Sequence, residues 1–130
     1  MTKLFTAPVK DQISGRLAHT EAGEGQSDVT ATYERELLAN TLSKKRMLPY
    51  RAVVHARSME EFDGWVRHDG EEFLYVLTGV IKLYTEFYEP IEMRRGHSAY
   101  SDASIGHKAV TQRSAEATVL SVISPGLAPV

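Results

Sequence analysis

From Pro49 onward the chain alternates apolar and polar residues in short runs. "YRAVVHARS", "EEFLYVLTG" and "VIKLYTEFY" succeed one another, and in the last of them Ile81, Leu83, Thr85 and Phe87 alternate with Lys82, Tyr84, Glu86 and Tyr88. A period of two places successive side chains on opposite faces of an extended strand. "IEMRRG", "SAYSD" and "EATVLSVIS" read the same way: each is short, β-branched or aromatic, and bounded by Gly, Pro, Ser or Asp. No long helical pattern interrupts them, so the expected fold is an antiparallel sandwich or barrel over residues 49–124. Upstream, "TATYERELLANTL" allows two readings. Tyr33, Leu37, Leu38 and Leu42 could form a helical stripe, whereas Val29, Ala31 and Tyr33 alternate as a strand does; the strand is preferred. "EAGEGQSD" collects glycine, serine and acids as a loop would. The expectation is a weakly ordered segment over residues 1–25 and a single domain over 26–130.

Composition narrows the function. With 130 residues and 42% hydrophobic content, the chain fills one core and is too short for two ordinary domains. A net charge of −2 gives no field to attract a polyanion, so nucleic-acid binding is not expected. Lys44-Lys45-Arg46 reads as a solvated turn. There is no cysteine, hence no disulfide framework and no thiolate ligand, and any metal must use His, Asp or Glu. No signal-peptide pattern opens the chain and no apolar stretch approaches a membrane span, so a cytoplasmic protein without membrane contact is expected.

The candidate chemistry lies in two places. His68 and Glu72 flank the turn-forming Asp69-Gly70, which can fold the chain so that both side chains face one point. His107 follows the turn-like "SIG". Neutral imidazole nitrogen and carboxylate oxygen suit Zn, Fe, Mn or Ni, and three such ligands leave positions open for water or substrate.

These residues resemble a known family. Glu72-x6-Gly79, with His68 four before the glutamate, is similar to the first cupin motif, G-x5-H-x-H-x3,4-E-x6-G. Gly96-x10-His107 is similar to the frame of the second, G-x5-P-x-G-x2-H-x3-N. More narrowly, "HDGEEFLYVLTG", "TEFYEP" and "RRGHSAYSDASIGH" look like the cupin domain at the C-terminal end of XRE-type helix-turn-helix transcriptional regulators. The resemblance implies an all-β fold, a small double-stranded β-helix or jelly-roll barrel with an internal pocket, and His68, Glu72 and His107 as metal ligands. Val66 stands where the motif has its first histidine and Glu60 where it has its opening glycine. Asp102, Ser104 and Thr111 replace the proline, glycine and asparagine of the second motif. The set is therefore a degenerate one of two histidines and one carboxylate. The first 48 residues lack the helical periodicity of a DNA-binding domain, so that property does not carry over.

Each residue also has a plainer reading. His68, Glu72 and His107 could form a hydrogen-bonded polar cluster without metal, and Glu71 reads as a solvated or turn-capping carboxylate. His97 reads as a surface turn, while His19 and His55 have no motif context. Arg51, Tyr75, Tyr84 and Tyr100 are the expected ligand-binding residues, although strand aromatics are commonly core or interface and a strand arginine is commonly exposed. Trp65 could guard the pocket mouth or pack on a partner. Two functions follow: a sensor-like small-molecule-binding module, which the lack of a further acid or base beyond Glu71 and the tyrosines favours, or a metal-dependent dioxygenase, isomerase or decarboxylase. "FLYVL" carries apolar residues on both strand faces, so a homodimer is expected to bury the surplus.

Overall fold

The computed structural model describes residues 15–111 and 116–126. The alternation seen along the chain becomes nine strands: β1 (Gln26–Val29), β2 (Tyr33–Leu37), β3 (Leu48–Val54), β4 (Glu71–Thr78), β5 (Val80–Thr85), β6 (Ile91–Arg94), β7 (Ser98–Asp102), β8 (His107–Thr111) and β9 (Ala117–Ser124). Among the described residues the helical content is one short turn at Met59–Glu61, and no helix is long and apolar enough to cross a membrane. The early segment is strand and not helix at Tyr33–Leu37, but Val29, Ala31 and Tyr33 do not share one strand. Thr30 turns the chain between them, its hydroxyl accepting from the N–H groups of Thr32 and Tyr33, and Gln26–Asp28, expected as loop, pair with β2 as the first arm of a hairpin.

The strands form a six-stranded sheet in the order β1-β2-β3-β9-β4-β7 and a three-stranded sheet in the order β6-β5-β8. All pairings are antiparallel. This is the two-sheet jelly roll that the motif resemblance implies. The core lies between the sheets, built from Tyr50, Ala52 and Val54 of β3, Val76 of β4, Ile81 and Leu83 of β5, Met93 of β6, and Ala117 and Val119 of β9. Every second residue of β3, β5 and β9 contributes, as the pleat requires. β8 was not foreseen as a strand. It opens with His107-Lys108, and a lysine only 9% exposed breaks the polar-out pattern by which strands are recognised.

Residues 1–14 lie outside the described part of the chain. Residues 15–25 contain no strand, yet they are tied down. Arg16 donates to the Ser43 carbonyl at 2.5 Å, the Ala39 N–H donates to Thr20 Oγ1 at 3.0 Å, and the Gly25 N–H donates to Glu36 Oε2 at 2.7 Å.

Candidate metal centre

Backbone pairing, more than side-chain packing, brings the two motif segments together. Val66 and His107 exchange hydrogen bonds, with N–H to carbonyl distances of 3.2 and 3.1 Å. The His68 N–H donates to the Ala103 carbonyl at 3.0 Å, and the Ala103 N–H to the Gly70 carbonyl at 2.9 Å. The loop from Val66 to Gly70 is thereby stitched to the segment that delivers His107. At Asp69-Gly70 the chain reverses into β4, where Glu72, Leu74 and Val76 share the inward face.

His68, Glu72 and His107 each offer one ligand atom, and these atoms lie within 4.8 Å of one another. His68 Nε2 is 3.2 Å and His107 Nε2 is 3.5 Å from Glu72 Oε1. The two rings stand edge to face, their centroids 5.4 Å apart. Their other nitrogens are committed: His68 Nδ1 lies 3.2 Å from the Asp69 carbonyl and His107 Nδ1 lies 3.0 Å from the Ile105 carbonyl. A carbonyl only accepts, so each bond assigns the neutral ring's proton to Nδ1 and the lone pair to Nε2. In the neutral rings two lone pairs then face a carboxylate oxygen, three acceptors with no donor between them; with Nε2 protonated the same contacts become hydrogen bonds from histidine to Glu72. A divalent cation relieves the neutral arrangement, and the Nδ1–H to carbonyl bond is the usual outer partner of a metal-bound histidine.

The carboxylate is held in the same way. Glu72 Oε2 accepts from Ser121 Oγ at 2.7 Å and from the Tyr50 hydroxyl at 3.4 Å, which leaves Oε1 to face the imidazoles. Burial first, and then the charge of Glu72, push the Tyr50 hydroxyl up to about 12, so it remains a donor at neutral pH. The geometry therefore fits a single-oxygen carboxylate ligand within a set of three protein donors.

A second carboxylate fixes the histidines from outside. Glu86 pairs with both terminal nitrogens of Arg67, the neighbour of His68, and accepts from the N–H of Gly106, the neighbour of His107, at 2.7 Å. Arg67 first, and then the Gly106 N–H, hold the Glu86 carboxyl below the usual carboxylate range. A lowered value means that its contribution is complete above about pH 4.3 and is lost as the pH falls through that lowered value. Glu86→Gln keeps an acceptor for Gly106 but loses the ion pair. It is expected to weaken metal affinity about tenfold, read by competition with a chromophoric chelator. Thermal unfolding of the metal-free protein should hardly change, because a solvent-screened pair contributes little to folding. Equal metal affinity in the two proteins would show that Glu86 does not position the site.

The donors line a cavity of about 150 Å³ whose wall is mainly apolar and includes Ala52, Val54, Leu74 and Val119. The ligand side chains are 14–30% exposed, so the site is open to a small molecule. Val66 also lines it, beside His68 as the motif frame requires. Arg51, Tyr75, Tyr84 and Tyr100, the expected ligand-binding residues, do not line this cavity. The pleat explains all four. Arg51 lies between the inward Tyr50 and Ala52, and Tyr75 between the inward Leu74 and Val76. Tyr84 follows the inward Leu83, its ring beneath the Lys82 ammonium at 5.5 Å. Tyr100 follows Ala99, which packs on the core, and is itself 66% exposed. Trp65 lies under the Lys108 ammonium and is not a cavity residue either. Tyr50, Ser121, Glu86 and Arg35 are the site residues that spacing did not single out. Ser121 carried a readable signal, being a hydroxyl on the apolar face that Ala117 and Val119 define.

The sequence profile of the cupin domain matches residues 55–123, just over half of the chain. The chain belongs to the cupin family. No curated protein sequence matches it. Among solved structures, this cupin is similar to FeII HppE, with 18% identity and a TM-score of 0.64 over 89% of this chain and 62% of that one. It is similar to ectoine synthase from P. lautus, with 14% identity and a TM-score of 0.65 over 85% and 78%. An RmlC-like cupin from Shewanella frigidimarina NCIMB 400 has 17% identity and a TM-score of 0.64 over 85% and 94%. Identities this low establish the shared fold. Against hydroxypropylphosphonic acid epoxidase from S. wedmorenis, the chain spans 51% of that protein's length.

Proposed function

We propose that this cupin is a metal-dependent protein of the two-histidine, one-carboxylate type, acting on a small organic molecule held in the barrel. The observation that carries the reading is the convergence of three lone-pair donors, His68 Nε2, His107 Nε2 and Glu72 Oε1, whose remaining polar atoms are already bonded elsewhere. Two histidines and one carboxylate with open positions suit non-haem Fe(II), the metal of FeII HppE, which has the same fold; Zn, Mn and Ni accept the same donors. Bound iron would supply Lewis acidity and oxygen activation. The chain's own part is to hold it and to shape the chamber. His68 and His107 are oriented by backbone carbonyls, Glu72 by Ser121 and Tyr50, and the mainly apolar wall shapes the chamber.

A second reading, a binding module that reports its ligand without turning it over, is favoured by Val66. This side chain puts an apolar surface where a cupin with four ligands has an imidazole. Both readings use the same cavity, and an organic product formed under oxygen separates them.

The test is equilibrium dialysis of the full chain against Fe(II) under argon, and against Mn, Ni and Zn in air, followed by elemental analysis. Wild type is expected to retain about one ion per chain and His107→Ala much less. Retention below a tenth of an ion by wild type would exclude the metal reading.

A further inference from the structure

The charges lining the cavity do not balance once a divalent ion sits on two neutral imidazoles and one carboxylate. Among its described lining residues Glu72 is the one acid, whereas Arg35 and Lys108 are cations. Arg35 extends from the inward face of β2. Its guanidinium lies 5.2 Å from the ring centroid of Tyr33 and 4.8 Å from that of Tyr50. Its Nε and Nη2 donate to one oxygen of Asp28, the residue directly opposite on β1. Asp28 does not line the cavity, its side chain is 39% exposed, and it takes two of the five guanidinium N–H donors. A guanidinium has five N–H donors in a rigid fork suited to planar or tetrahedral anions. Two aromatic faces fix its plane before any ligand arrives. The Lys108 ammonium rests over the rings of Phe62 and Trp65 at 5.7 and 4.9 Å, and the acid that feels its charge is Glu60, which does not line the cavity. Unbalanced positive charge in a largely apolar chamber favours entry of an anion.

We infer that the cavity takes a small organic anion whose charged group pairs with Arg35 while its other end reaches the metal centre. This inference rests on the metal-dependent reading above. Tyr50 links the two groups, its ring and hydroxyl both reached by Arg35 and its hydroxyl on Glu72, so one small ligand can meet Arg35 and the metal centre together. The volume of about 150 Å³ matches a cavity that admits a single six-membered ring. Carboxylate and phosphonate share the required chemistry.

The probes are benzoate, phenylphosphonate and the neutral benzyl alcohol, titrated calorimetrically into the Zn-loaded full chain. At least one anion is expected to bind tenfold or more tightly than benzyl alcohol, and the tighter anion identifies the head group. Arg35→Gln should abolish that preference while leaving the Zn content unchanged. Asp28→Asn removes the competing acid and should tighten anion binding several-fold, a gain that unfolding cannot mimic. If Arg35→Gln does not fold, Arg35→Lys carries the test, keeping the charge without the fork and giving intermediate affinity. His107→Ala, with its metal lost, should retain a preference for anions that depends on Arg35, so failure of the metal reading remains distinct from failure of this one. Equal binding of benzyl alcohol and the anions, full anion affinity in Arg35→Gln, weaker binding in Asp28→Asn, or no binding of any probe at millimolar concentration would each overturn it.

Discussion

Replacing Gly70 with alanine is expected to cost on the order of 4 kcal/mol or more, enough to unfold a protein of ordinary stability. Gly70 has φ of +91°, and a Cβ built on it would lie 1.7 Å from the Ser124 carbonyl oxygen and 2.7 Å from the Gly126 nitrogen. Both are backbone atoms, so no side chain can swing aside. Ser124 ends β9 opposite Glu71, and the Gly70 carbonyl accepts from Ala103. Relief would therefore have to pull β9 off β4 or detach the turn that sets His68 against Glu72. Gly64→Ala is the matched control. Its φ of +89° is nearly the same, but nothing lies within 4 Å of the added carbon, so only the backbone preference of about 1–2 kcal/mol is lost. Chemical denaturation of the metal-free proteins measures both. Equal costs at the two positions would mean that the turn yields freely and that close approach to Ser124 is not what fixes it.

The same turn shows why part of the site was legible in the sequence. His68, Asp69-Gly70 and Glu72 are local, and a tight turn can juxtapose residues four apart whatever the remainder of the fold does. His107 was legible because the motif frame fixes its distance from Gly96. Tyr50 and Ser121 reach Glu72 across sequence separations of 22 and 49 residues, through the pairing of β3 with β9 and of β9 with β4. Register between strands sets those approaches, and no spacing along the chain encodes it. The aromatic residues expected to bind a ligand lie off this cavity for a different reason: preference for a strand says nothing about which face a ring occupies. At Tyr75 the face was readable, since Glu72 and Leu74 already marked the even positions of β4 as inward. At Tyr100 the short β7 carries no such apolar row to set the parity. The strands themselves were visible wherever alternation was clean and were lost at β1, whose Gln26-Ser27-Asp28 carries no apolar residue, and at β8, where Lys108 is buried.

Metal should raise the unfolding temperature of wild type by roughly 10 °C, that of Val66→His by more, and that of His107→Ala hardly at all. A ligand present at a hundred times its dissociation constant stabilises the folded state by about 2.7 kcal/mol, and for a chain of this size each kcal/mol moves the midpoint by roughly 3–5 °C. Val66 and His107 face each other as a mutually hydrogen-bonded antiparallel pair, with Cα atoms about 5.5 Å apart and side chains on the same face. Val66 already lines the cavity and is 40% exposed, so an imidazole there has room and costs little packing. Adding this fourth donor should tighten metal binding about tenfold or more, a further ~1.4 kcal/mol at fixed metal concentration. His107→Ala leaves two donors, one of them a glutamate still held by Ser121 and Tyr50. The comparison is thermal unfolding of the three proteins with and without Zn, Ni, Mn and anaerobic Fe(II). The metal-free midpoint of Val66→His is the reference that separates a new ligand from a packing change. A metal-dependent shift that survives His107→Ala would place the ion elsewhere. No gain in Val66→His would mean that the position facing His107 cannot reach the point where His68, Glu72 and His107 converge.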